Sequence, residues 1–158
     1  MTGGLPVAED KLSAAVRERV VKDAHAMEVG PEYKGLRLSF PMTMDQCHDL
    51  IAYFKGGNVL HYKYVVQVLE HFATAMAKAE TLVETTVAKG ERLAVVGDTH
   101  GQLQDLYSIF TINGTPDERN RYLVNGDFVD RGRYGAEIAI TLFCFHLANP
   151  HSLLMNRG

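Results

Sequence analysis

Only two cysteines occur in the sequence, Cys47 and Cys144. That is too few for a disulfide scaffold and points to free thiols in a reducing compartment. There is no basic block. Lys and Arg number 16 against 19 Asp and Glu, for a net charge of −3, so binding to a nucleic-acid backbone by charge is not expected. There is no long apolar run either. The most apolar stretch, Ala136 to Ala148, contains Glu137 and His146 and falls short of the roughly 20 residues that span a bilayer. The first ten residues lack the basic and apolar regions of a secretory signal. Internal repeats and low-complexity segments are missing as well. These absences argue against a secreted, membrane or nucleic-acid-binding protein and predict a cytoplasmic one, with the nucleus as a second location. What remains is a core-forming composition, 46% hydrophobic and 22% charged over 158 residues. That suits one domain or part of a larger one.

The two halves of the chain differ in pattern. In the first, Leu12, Ala15, Val16, Val20, Val21 and Ala24 recur at steps of three and four, which predicts a helix from about Asp10 to Met27. Gly30-Pro31 stops it, and residues 31–42 read as an irregular or extended connector. Thr43, with Gln46 three residues on, predicts a capped helix start, and Gly56-Gly57-Asn58 its end. A third helix is predicted from Tyr62 to Ala79, with Val65, Leu69, Phe72, Met76 and Ala79 as a core stripe. After Gly90 the period shortens. Leu93–Val96 and Tyr122–Val124 read as short strands, each ending in Gly-Asp, and Ser152–Met155 as a third. Leu103–Thr111 and the almost wholly apolar Ala136–Ala148 read as the helices between them. Strand, helix, strand, helix, strand predicts an α/β fold with parallel pairing and right-handed crossovers.

The chemistry gathers at the two Gly-Asp ends, Gly97-Asp98-Thr99-His100-Gly101 and Gly126-Asp127-Phe128-Val129-Asp130-Arg131-Gly132. In an open parallel sheet, functional groups collect at the carboxyl ends of the strands. Asp127 follows Asp98 by 29 residues, one strand-helix-strand unit. If the strands are neighbours, Asp98, His100 and Asp127 converge. Two carboxylates and an imidazole suit manganese, iron or zinc. Gly97 and Gly126 are expected to allow sharp exits from the strands, and Gly101 and Gly132 a positive φ or a close approach. Arg131 can grip two phosphate oxygens at once; the alternative is a structural pair with Asp130. A single Gly-Asp is usually only a turn, so the weight rests on the pair. The other histidines (His25, His48, His61, His71, His146 and His151) are expected at solvated or core positions. Cys144 is expected to be inert core and Cys47 a thiol without a role.

These two motifs, in this order, resemble those of the phosphoprotein phosphatase family of serine/threonine phosphatases, within the calcineurin-like metallophosphoesterases. Leu82-Val83-Glu84-Thr85-Thr86 ahead of the first strand adds to the resemblance, which covers about residues 31–158 and is nearest to the branch that carries tetratricopeptide repeats. It implies a di-metal phosphatase acting on phosphoserine and phosphothreonine in proteins, with regulatory proteins as further partners. Asp98 and His100 would hold the first of two divalent ions (manganese, or iron and zinc) and Asp127 would bridge both. Asp130 would orient a catalytic histidine, and Arg131 would bind the substrate phosphate. An activated water would attack phosphorus in line, without a covalent phosphoenzyme.

The family's third motif, Gly-Asn-His-Glu, is met only at its first letter, because the sequence ends at Asn156-Arg157-Gly158. The expectation is therefore a truncated calcineurin-like metallophosphoesterase: residues 1–30 as an N-terminal helix or linker, too short for a tetratricopeptide array, and residues 31–158 as the first part of the catalytic domain. Such a chain would have negligible activity alone, and an unpaired sheet edge and an uncovered apolar face. The alternative is a non-catalytic product that acts as a binding or regulatory module.

Overall fold

In the computed structural model, residues 9–156 are described, with side chains from residue 14 onward. Residues 1–8, Leu12 of the first predicted stripe and the terminal Arg157-Gly158 lie outside that range. The order is α1 (Glu9–Ala26), α2 (Met44–Lys55), α3 (Tyr62–Met76), β1 (Arg92–Val96), α4 (Leu103–Asn113), β2 (Asn120–Val124), α5 (Gly135–Ala148) and β3 (Leu153–Met155). The strands form one parallel sheet in the order β1-β2-β3. Val95 pairs with Leu123 and Val96 with Val124, while Leu123 pairs with Leu154 and Val124 with Met155. The predicted βαβαβ unit is thus present, in an α/β fold.

Local chemistry sets the boundaries. Thr43 caps α2, its hydroxyl accepting from the Gln46 amide. The other half of a capping box does not form. The Gln46 side-chain oxygen instead accepts from the Ser39 amide at 2.7 Å, which pins the connector to the helix. His61 caps α3, its Nδ1 accepting from the Lys63 amide. α3 ends at Met76 rather than Ala79.

Strand alternation sends Val96, Tyr122, Val124 and Leu153 to one face, where they are buried. α5 supplies the rest of that core with Ile138, Ile140, Leu142, Cys144 and Phe145. α2 and α3 both pack on α5, so the first half of the chain shares the core of the second. Phe72 of α3 stacks on Phe143 of α5 at 3.9 Å between centroids. Buried His146 holds the start of β3 through Nδ1 and the Leu153 carbonyl, 2.9 Å apart. Both cysteines are buried and free.

Two predicted stripes need correction. Among the described side chains of α1 only Ala24 is buried, while Val16 and Val20 are exposed. In α3 the core positions are Tyr64, Val66 and Val68, and Leu69 is 44% exposed. The cause is the same for both. α1 packs mainly against α3, and the two leave a groove of about 510 Å³ lined by Val20, Val21, Leu69 and Phe72 among others. The opposite sheet face is open, as expected. Val95 is 66% exposed and Leu123 and Leu154 only half-buried.

Candidate metal centre

The two Gly-Asp turns lie side by side because β1 and β2 are neighbours in the sheet. Backbone bonds stitch them together. The His100 amide donates to the Asp127 carbonyl and the Gly101 amide to the Phe128 carbonyl, each at 3.0 Å. The Gly132 amide donates back to the His100 carbonyl at 2.8 Å, and the Tyr134 amide to the Gly101 carbonyl at 3.2 Å. Gly101 and Gly132 meet backbone to backbone. A Cβ on Gly132 would lie 2.5 Å from the Gly101 carbonyl oxygen, so only glycine permits the contact. Gly101 and Gly126 have positive φ, as expected. Gly97 does not, and a Cβ there would meet nothing within 4 Å. Gly97 therefore needs neither a positive φ nor a close approach.

One ligand atom from each of Asp98, His100 and Asp127 lies within 4.8 Å of the others. Asp98 and Asp127 are exposed and His100 is half-buried. His100 Nε2 stands 3.5 Å from an Asp98 carboxylate oxygen. On the other side of the ring, Nδ1 is 3.3 Å from the Val129 carbonyl. A carbonyl only accepts, so that contact assigns the proton to Nδ1 and leaves the Nε2 lone pair toward the carboxylates. This is the tautomer a metal ligand needs. The hard-to-borderline donor set fits a first-row divalent ion.

Backbone strain marks the same place. Among the described residues, the non-glycine positions with positive φ are His100, Asp127, Asp130 and Arg131, at 38°, 44°, 65° and 56°. Each costs about 1–2 kcal/mol relative to ordinary backbone, and strain of this kind collects at functional sites. All four belong to the two Gly-Asp motifs. Asp130 and Arg131 do not join the ligand cluster. They are exposed on the same loop, and no ion pair within 4.0 Å links them among the described residues. A structural Asp130–Arg131 pair is thus not formed.

Sequence reasoning missed the Val129 carbonyl, which any residue can supply, and the strand-end pair in which the Asn156 amide side chain donates to Asn125 at 3.1 Å. It also missed Arg121. That guanidinium donates to the His151 and Thr86 carbonyls at 2.9 Å each and to the Thr85 hydroxyl, tying the segment before β1 to the sheet.

Parallel strand ends that gather two carboxylates and an imidazole beside a strained, arginine-bearing loop form a candidate divalent-metal centre. Residues 91–158 match the family profile described as calcineurin-like phosphoesterase, and residues 7–84 match one described as the PPP5 TPR repeat region. The segment 91–158 is thus similar to the calcineurin-like phosphoesterases, and the chain is similar to serine/threonine phosphatases of the phosphatase 5 type. It is 42% identical over 136 residues to serine/threonine-protein phosphatase T of Aspergillus oryzae, covering 86% of this chain and 28% of that protein. It is also 42% identical over 137 residues to serine/threonine-protein phosphatase 5 of Rattus norvegicus, with the same coverage. A solved structure of a Saccharomyces cerevisiae protein serine/threonine phosphatase, described as similar to human phosphatase PP5, superposes with a TM-score of 0.63 at 34% identity. The superposition covers 66% of this chain and 34% of that one. The chain thus spans about 28% of the length of the first curated relatives. Calcineurin-like phosphoesterases are metal-dependent, and the ligand cluster agrees with that. The helical match lies across the domain boundary expected at residue 31.

Proposed function

We propose that the chain carries the opening part of a protein serine/threonine phosphatase centre, with Asp98, His100 and Asp127 holding divalent metal. The observation that carries this reading is the convergence of the three ligand atoms within 4.8 Å on loops that match the phosphoesterase family. Bound divalent ions would supply Lewis-acid polarisation of a phosphoryl oxygen and a water acidic enough to act near neutral pH. His100, its Nδ1 proton held by Val129, presents Nε2 as a ligand. Asp127 offers a second carboxylate oxygen for bridging. Arg131, with no carboxylate within 4.0 Å among the described residues, can grip the phosphate of a phosphoserine or phosphothreonine. Asp130 would orient an imidazole donor. No second histidine belongs to the cluster among the described residues, so the 158-residue chain alone should bind metal yet turn over phosphopeptide negligibly.

Manganese binding followed by electron paramagnetic resonance tests the reading. The native chain should bind, and Asp127→Asn or His100→Ala should weaken binding by about tenfold or more. An affinity unmoved by either substitution would remove the basis for the metal centre. Robust manganese-dependent turnover by the native chain would refute the expected inactivity.

A further inference from the structure

We propose that Arg133 is a specificity residue, selecting phosphopeptides that carry acidic side chains beside the phosphorylated serine or threonine. This rests on reading the Asp98–His100–Asp127 cluster as a phosphatase centre and names the class of sequence that centre would prefer.

Position comes first. Arg133 sits between two backbone anchors on the ligand turn: Gly132, whose amide bonds to the His100 carbonyl, and Tyr134, whose amide bonds to the Gly101 carbonyl. The Gly101–Gly132 contact leaves no room for the loop to slide. The Arg133 backbone is therefore fixed against the metal ligands.

Commitment comes second. The arginines that brace this fold are occupied. Arg37 donates to the Val29 and Gly30 carbonyls, Arg92 to the Asn113 carbonyl, and Arg121 to three oxygens. Arg133 is exposed and makes no ion pair within 4.0 Å among the described residues. Asp130, three positions before it, and Glu137, four positions after it, are the acids nearest in sequence, and neither pairs with it. A cation anchored this firmly and left without an internal partner is available to a bound molecule.

Reach comes third. An extended peptide advances about 3.3–3.6 Å per residue, so the three residues on either side of a phosphoserine lie within about 10 Å of its phosphate. That is comparable to the Debye length of about 10 Å at 0.1 M salt. With Arg131 on the phosphate, Arg133 stands two residues further along the same loop and is exposed, a separation comparable to that span. A guanidinium donates equally well to two oxygens of Asp, Glu or a second phosphate.

The test measures equilibrium binding of fluorescein-labelled phosphoserine nonapeptides to the 158-residue chain in manganese buffer, by anisotropy at 0.1 M salt. One peptide has Glu at the three flanking positions on each side and the other has Lys. The native chain should prefer the acidic peptide by about twofold to fivefold, the range expected of one exposed charge pair. Arg133→Ala should abolish the preference, Arg133→Glu should reverse it and Arg133→Lys should keep it, with manganese affinity unchanged in all three. If both peptides bind but the preference is absent or indifferent to Arg133, this inference falls and the phosphatase reading stands. If neither binds, both fall.

Discussion

Alanine substitutions at glycines near the two ligand turns separate packing from backbone freedom. In Gly132→Ala the new methyl would lie 2.5 Å from the Gly101 carbonyl oxygen and 2.6 Å from that of His100. Both are backbone atoms and cannot swing aside, so the turns must part. Overpacking of this kind costs about 1–3 kcal/mol. Parting the turns also stretches the 2.8 Å bond from the Gly132 amide to His100, worth about 0.5–1.5 kcal/mol. A total near 2–4 kcal/mol is expected. Gly90→Ala, at a φ of 92° in open space, should cost only the conformational penalty of about 1–2 kcal/mol. Gly97→Ala, with open space and no positive φ, should be neutral or stabilising by about 0.4–1 kcal/mol through the unfolded chain. Urea unfolding of the three variants reads the stabilities, and manganese titration reads the site. Only Gly132→Ala should lose metal affinity as well, because its clash falls on the His100 and Gly101 carbonyls. Equal cost at Gly97 and Gly132, or a Gly132→Ala chain with native stability, would refute the claim that the turns are held by direct backbone contact.

Two further outcomes follow from burial. Desolvation pushes the Cys47 thiol up to about 12 and raises that of Cys144 as well, so both should resist alkylation at pH 8 in the folded chain and react in urea. An unfolded thiol ionises near 8.5. The folded state binds these protons more tightly, so their stabilising contribution is complete below about pH 8.5 and is lost as pH rises toward 12; a rise in urea midpoint over that window would contradict it. On the open sheet face, Val95→Lys should shift stability by no more than about 0.5 kcal/mol, as an exposed site allows. It should also slow self-association in light scattering, because it breaks the Val95–Leu123–Leu154 row. Unchanged association would mean that this face is not the adhesive one.

The order of elements was legible because the hydrophobic period changes from helical to strand-like after Gly90, and Gly-Asp punctuates both strand ends. The site was legible because a parallel pairing leaves β1 and β2 ending side by side. What the sequence could not convey was which helix faces find a partner. Val16, Val20 and Leu69 are correctly periodic, yet α1 packs mainly against α3, so that periodicity leads into a groove instead of a core. At the strand exits, the positive φ falls on Gly126 and not on Gly97, and in the first turn on Gly101. The proton on His100 was equally hidden, because it is held by a carbonyl, and carbonyls have no letter.

That last point bears on how the centre can change. The turns are joined through main-chain oxygens of three consecutive residues, Asp127, Phe128 and Val129, received in order by the His100 amide, the Gly101 amide and the His100 ring. Such a seam counts residues without reading their side chains. Swaps at Phe128 or Val129 keep every stitch in place, whereas inserting or deleting one residue there would bring the wrong carbonyl to the imidazole. Spacing, more than spelling, is what an engineer of this loop would have to preserve.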